Sequence, residues 1–151
     1  MPMQLQFKWT RFDALSALEV YALIQARESV FVVEQQCPYQ EADGLDLQAW
    51  HLTARVGGAL AACARVVDPG LKYVQPSIGR VMTMQDFRAH GLGRSLMQEA
   101  IRFTHQAFPG QGIKIGAQAR LQAFYASLGF VPDGQPYDED GIAHIDMTKA
   151  G

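Results

Sequence analysis

Arg88, Gly91 and Gly93 stand at fixed offsets within Ile78–Leu96, a stretch that reads as a strand, a glycine-bearing loop and the start of a helix. At such a junction the first backbone N–H groups of the helix lack intrahelical acceptors, and glycine removes the Cβ atoms that would hold an anion away. Arg88-x-x-Gly91-x-Gly93 therefore has the chemistry of a phosphate cradle. It is not a dinucleotide fingerprint, because leucine stands at position 96 where a third glycine is wanted, and it lacks the Gly-Lys-Ser/Thr of a P-loop. Two glycines in an exposed loop also fit an ordinary turn, so the motif alone does not choose between the two.

The elements around it must bring the cradle to a substrate. A chain of 151 residues, 48% hydrophobic and 19% charged, predicts one domain, residues 1–151, with a proper core. A formal charge of −2, dispersed along the chain, offers no basic field for nucleic acid, so any bound anion must be held locally. Cys37 and Cys63, with no signal peptide in view, argue against a disulfide scaffold and for a reducing cytoplasm. Apolar runs such as Val30–Val33 are far too short to cross a bilayer, so a soluble protein is expected.

Met3–Trp9 alternates at period two and predicts a strand. Asp13 then offers an N-cap for a helix from about Leu15 to Glu28, with Leu15, Leu18, Ala22 and Ala26 on its apolar stripe and Tyr21 and Ile24 widening it. Val30–Gly44 passes from an apolar run into a polar loop in which Pro38 forbids a regular helix; it is either a solvated connection or a substrate lip. Ala49–Val56 and Ala59–Val67 form a hairpin on the Gly57-Gly58 turn. The strand Ser77–Met84 leads through the cradle to a helix ending near Phe108, before Pro109-Gly110. A short strand at Ile113–Ala117, a helix carrying Leu121, Phe124, Tyr125 and Leu128 with Gly129 as its cap, a strand at Phe130-Val131, and Ile142–Met147 complete the chain. The order predicts an α/β fold with a mixed sheet, in which strands flanking a helix can run parallel through crossovers.

The segment Gln118–Phe130, following the Arg-x-x-Gly-x-Gly loop after one helix and one strand, resembles the GNAT superfamily of acyl-CoA-dependent N-acyltransferases. Val30–Gln35 with Cys37-Pro38-Tyr39, the strand end Gly116–Ala119, and Asp140–Ile145 look like its ElaA branch, so the resemblance covers nearly the whole chain. It implies a central twisted mixed sheet flanked by helices, acetyl-CoA (coenzyme A) as cosubstrate, no metal, and direct transfer to an amine. The backbone of Val81, Met82 and Thr83 would pair with the pantetheine arm. The amides of Ala89, His90, Gly91, Leu92, Gly93 and Arg94 would take the diphosphate, with Arg88 and Arg94 adding charge. Gln118 stands where the family usually has Asn. Tyr125 would protonate the departing coenzyme A thiolate, its ordinary pKa of about 10 keeping it protonated at neutral pH.

Many GNAT relatives carry a glutamate on the strand that here reads Ile113-Lys114-Ile115, and this chain has none there. Glu34, His51 and His144 are the substitute bases, with Glu34 and His144 the catalytic candidates beside Tyr125. His90 is expected to face solvent and His105 to lie on an exposed helix face. Arg65 and Arg80 are either ion-pair partners at the core edge or acceptor-site groups. Glu34, Glu41, Asp43 and Asp46 near the lip favour a cationic acceptor, either a small amine or a protein amine. A homodimer is compatible with all of this, and neither nucleic acid nor membrane is expected as a partner. Two other readings stand beside acetyl transfer. Arg27-x-x-Val30-Phe31 also looks like the start of acyl-homoserine-lactone synthases, and a non-catalytic acyl-CoA sensor would keep the same cradle.

Overall fold

The computed structural model describes residues 4–151, so Met3, the expected start of the first strand, lies outside the described residues. Strand β1 (Leu5–Arg11) pairs antiparallel with β2 (Ala49–Val56), which returns as β3 (Ala59–Val67) through Gly57 and Gly58, with φ of 57° and 84°. Only glycine enters both positions of that turn without strain, which is why the hairpin was visible in the sequence. β4 (Ser77–Thr83) completes a four-stranded sheet in the order β1-β2-β3-β4.

Helix α1 (Ala17–Arg27) starts one turn later than Asp13 implies. Ser16 caps it by accepting from the Glu19 amide at 3.1 Å while Glu19 Oε1 accepts from the Ser16 amide at 2.9 Å. That reciprocal pair satisfies two orphan donors, and Asp13 is left in a short 3-10 turn, Phe12–Ala14. The expected apolar stripe is also displaced. Leu18 and Tyr21 are 83% and 69% exposed, and Leu23, Ala26 and Arg27 face inward. The apolar run after α1 continues it as a wide π-helical turn, Glu28–Glu34.

The second sheet contains β5 (Ile113–Gln118), β6 (Val131–Pro132), β7 (Tyr137–Glu139) and β8 (Ile142–Lys149). β8 does not sit at an edge: it pairs antiparallel with β5, β6 and β7. The crossover that could place β4 and β5 side by side brings only their beginnings together, where the Lys114 amide donates to the Pro76 carbonyl at 3.1 Å. Beyond that point the two sheets are separate ladders, and a cleft opens between them.

That crossover is helix α2 (Leu92–Ala107), whose Leu96, Met97 and Ala100 pack with Ala62 and Ala64 of β3 in the main core. Alanines there let the helix approach the sheet closely. On the opposite face Cys63 and Met82 pack with Leu23, Ala26 and Val30. Burying a side chain such as Leu96 or Phe130, both essentially sealed, stabilises by about 1.5–3 kcal/mol each. The short helix α3 (Gln122–Ala126) ends at Gly129, φ 97°, and the Phe130 amide reaches back to the Tyr125 carbonyl at 3.2 Å. Among the described residues no helix is long and apolar enough to cross a membrane.

Candidate active site

Helix α2 begins at Gly91, which is left-handed at φ 71° and provides no side-chain cap. The amides that open the helix, those of Leu92, Gly93 and Arg94, are consequently without side-chain acceptors and carry the positive end of the helix dipole. A hollow of about 280 Å³ lies over them, lined by Arg88, Ala89, Gly91, Leu92, Gly93 and Arg94. His90 is exposed beside it and Leu92 is buried as an anchor. A Cβ added at Gly93 would meet only Thr83 Oγ1, at 3.9 Å, so the protein's own packing does not demand glycine there. The hollow shares Thr83, Arg88, Gly93 and Phe124 with the larger cleft, about 570 Å³, between β4 and β5.

Arg88 does not point freely into the hollow. Both of its terminal nitrogens fork onto the Glu34 carboxylate, Nη2 donating to Oε2 at 2.8 Å, while Nε donates to the Thr83 carbonyl at 3.0 Å. The guanidinium holds the Glu34 carboxyl below its usual range, which makes Glu34 a weaker base than an isolated glutamate. The same contacts occupy the carbonyl of Thr83, one of the three residues expected to pair with a pantetheine arm. Arg94 turns sideways, donating to Ser127 Oγ at 2.8 Å and lying 5.6 Å from the Phe124 ring centre.

Val81, Met82 and Thr83 line one wall of the cleft, and Gln118, Tyr125 and His144 also face it. Tyr125 is 8% exposed, with its ring edge-on to Phe124 and Phe130, and burial pushes its hydroxyl up to about 12. Gln118 donates to Gln35 Oε1 at 3.3 Å and accepts from Arg120 Nε at 3.2 Å. His144 is its cross-strand partner in β8. Nδ1 of His144 lies 2.8 Å from the Ile142 carbonyl, its Nε2 is 3.3 Å from Glu139 Oε2, and Tyr137 stacks on the ring. With Nδ1–H donating to Ile142, Nε2 is the atom that can take a proton, and Glu139 stands ready to balance the charge. Glu139 was absent from the sequence candidates: it looked like one more acid in a turn, and the three-residue strand that aims it is exposed throughout.

The other histidines lie elsewhere. His51 is sealed beneath the 3-10 turn Leu45–Gln48, its Nε2 2.9 Å from the Asp46 carbonyl, and it does not line the cleft. His105 is half-buried with Nε2 unpartnered, not on an exposed face as its helical position suggested. Cys37 is buried and donates to the Asp140 carbonyl at 3.2 Å.

A family model described as an acetyltransferase (GNAT) domain matches residues 18–150. The chain belongs to the GNAT acetyltransferase family. The structure superimposes on an acyl-CoA N-acyltransferase from Pseudomonas aeruginosa with a TM-score of 0.93, at 42% identity over 97% of this chain and 100% of that one. Protein ElaA of Escherichia coli is 40% identical over 137 residues, 89% of this chain and 90% of its own, and its crystal structure superimposes with a TM-score of 0.90. The acyl-homoserine-lactone synthase LasI shares the fold alone, with a TM-score of 0.77 at 10% identity over 97% of this chain and 89% of its own. This GNAT protein is thus an acyltransferase, built to use an acyl-CoA donor.

In this GNAT enzyme the acids of the expected lip are not free to receive a cation. Arg27 donates to Glu41 at 2.7 Å and to both oxygens of Asp46, at 2.8 and 3.1 Å. Arg65 holds Asp43 at 2.6 and 2.8 Å and Asp46 at 3.0 Å, and Arg80 reaches Glu41 at 2.8 Å and Asp43 at 3.2 Å. Three arginines neutralise three carboxylates, and Arg88 neutralises Glu34. Glu34, Glu41, Asp43 and Asp46 therefore present no unpaired negative charge to attract a cationic acceptor. Arg65 and Arg80 are ion-pair partners that also line the cleft.

Proposed function

We propose that this GNAT enzyme transfers the acetyl group of acetyl-CoA directly to a primary amine, on a small molecule or a protein, with Tyr125 as general acid and His144, backed by Glu139, as general base. The observation that carries this reading is continuity: the residues that open α2 and Tyr125 line one connected pair of cavities. A diphosphate seated on Leu92, Gly93 and Arg94 puts the pantetheine arm along Val81–Thr83 and the thioester toward Tyr125. The neutral amine attacks the thioester carbonyl, and Nε2 of His144 takes its proton. The C–N bond forms, the C–S bond breaks, and the thiolate receives the Tyr125 proton.

Glu34 is assigned a different task, occupying the Arg88 guanidinium at the edge of the cradle until a diphosphate takes it. Arg27 of the Arg27-x-x-Val30-Phe31 pattern behind the lactone-synthase reading is buried on Glu41 and Asp46. We place the reaction in the cytoplasm, a setting that suits two free, buried thiols. Titration calorimetry with acetyl-CoA, followed by coenzyme A release across a panel of primary amines, tests the assignment. Binding with turnover on at least one amine is expected. Absence of acetyl-CoA binding would overturn it, and binding without transfer to any amine would leave an acyl-CoA sensor in its place.

A further inference from the structure

Arg80 lies inside β4 yet has a left-handed backbone, φ 49°. The register shows why. Cys63 pairs with Met82 and Arg65 with Gly79, so Arg80 and Val81 together face the single residue Ala64. This is a β-bulge whose first residue has the conformation that glycine normally supplies, so an arginine persists there only if its surroundings hold it.

They hold it through its side chain. Arg80 Nε donates to Glu41 Oε1 at 2.8 Å, and Nη2 donates to the Glu41 carbonyl at 2.9 Å and to Asp43 Oδ2 at 3.2 Å. The guanidinium also lies 5.6 Å from the centre of the Tyr39 ring. Glu41 and Asp43 are fixed in turn by Arg27 and Arg65, which are almost fully buried. Stability is a poor explanation for this array. Glu41 Oε2 and Arg65 Nε are buried without a partner, and buried ion pairs with unsatisfied atoms gain little over apolar packing. What the array does accomplish is geometric. It ties the loop carrying Glu41 and Asp43 to the one residue that decides how β4 leaves the bulge.

Val81, Met82 and Thr83 follow that residue immediately and form the cleft wall. We propose that Arg80 is a positioning residue: clamped by Glu41 and Asp43, it fixes the β4 bulge and thereby sets where the backbone of Val81–Thr83 stands against the reacting thioester. The inference rests on the acetyl-transfer reading and adds to it a residue of the cleft wall that acts through the β4 backbone.

Arg80→Gly separates the two contributions, because glycine adopts the bulge conformation freely and only the clamp is lost. Wild type, Arg80→Gly, Arg80→Lys and Glu41→Gln are compared by acetyl-CoA calorimetry, by coenzyme A release with the fastest amine of the panel, and by amide hydrogen exchange. Arg80→Gly is expected to keep acetyl-CoA affinity within about threefold while kcat falls roughly 10- to 100-fold, the cost of an ångström-scale misplacement. Exchange at Val81–Thr83 quickens, and Arg80→Lys recovers part of kcat through one contact to Glu41. A folded Arg80→Gly with wild-type kcat would overturn the clamp, as would parallel losses of affinity and kcat. Should Arg80→Gly fail to fold, Glu41→Gln decides by the same two criteria. A wild-type protein that binds no acetyl-CoA overturns the transfer reading, and the clamp with it, before any variant is compared.

Discussion

Tyr125 is a drier acid than its type implies. The free phenol titrates near 10, and the surrounding Phe124, Phe130 and cleft wall push it up to about 12, so it is fully protonated at any pH at which the enzyme would be assayed. The shift widens its gap from a thiol in water. A phenol of that pKa still assists by donating as the C–S bond breaks, when negative charge builds on the sulfur. Tyr125→Phe is therefore expected to lower kcat by about 100-fold with acetyl-CoA affinity nearly unchanged, as stopped assays and calorimetry will show. The pH–rate profile of the wild type should show no descending limb from this group below about pH 11. Equal losses of turnover and affinity in the variant would argue for a packing role. Tyr125 was legible because its spacing to Gln118, Gly129 and Phe130 is a sequence property. Its raised pKa was not, since that depends on which rings close around it. Glu139 escaped for a related reason: only the pairing of Tyr137 with His144 turns it toward the imidazole.

At the scale of elements, the start of α2 and the π-helical turn after α1 meet through Arg88 and Glu34. The strand, loop and helix expected around Arg88-x-x-Gly91-x-Gly93 are present, and Gly91 occupies the left-handed N-cap of the helix. What spacing could not reveal is that Arg88 has a carboxylate partner 54 residues away. In the proposed acetyl-CoA complex, the diphosphate competes with Glu34 for that guanidinium. Removing the competitor in Glu34→Gln should tighten acetyl-CoA binding by up to about fivefold, the worth of a half-exposed ion pair, with the gain shrinking at high salt. Weaker binding in Glu34→Gln would instead mean that the pair braces the cradle. Helix α1 lies where the periodicity predicts it, but its buried face departs from the expected stripe. Periodicity counts apolar residues, and here the inward face includes a charged one, Arg27, while Leu18 and Tyr21 face water. Hairpin β2–β3 was read correctly because its turn is written in local chemistry, two adjacent glycines.

Across the whole molecule, two antiparallel sheets joined at one end and apart at the other form the cleft, and an ionic array borders it through Arg65 and Arg80. Its members are scattered: Glu41 takes Arg27 from 14 residues away and Arg80 from 39, so in one dimension the acids look like a solvated lip. Burial and neutralisation are properties of the assembled chain, and no local window contains them. The array also sets how the fold responds to acid. The arginines hold the carboxyls of Asp43 and Asp46 below the ordinary range, with Arg65 acting chiefly on Asp43 and Arg27 on Asp46, against a desolvation that pulls the other way. In the unfolded chain both titrate near 4. Below that value the unfolded state binds more protons than the folded one, so stability is complete above about pH 5 and drains away as pH falls through the depressed native values. The urea midpoint should accordingly fall steeply from pH 5 to pH 3. Arg65→Met should cost about 3–5 kcal/mol at pH 7, because Asp43 and Asp46 lose a buried partner. The same variant should show a shallower acid dependence, since carboxylates without that arginine titrate nearer their unfolded values. A steep acid dependence retained in Arg65→Met would place the acid-sensitive carboxylates outside this array.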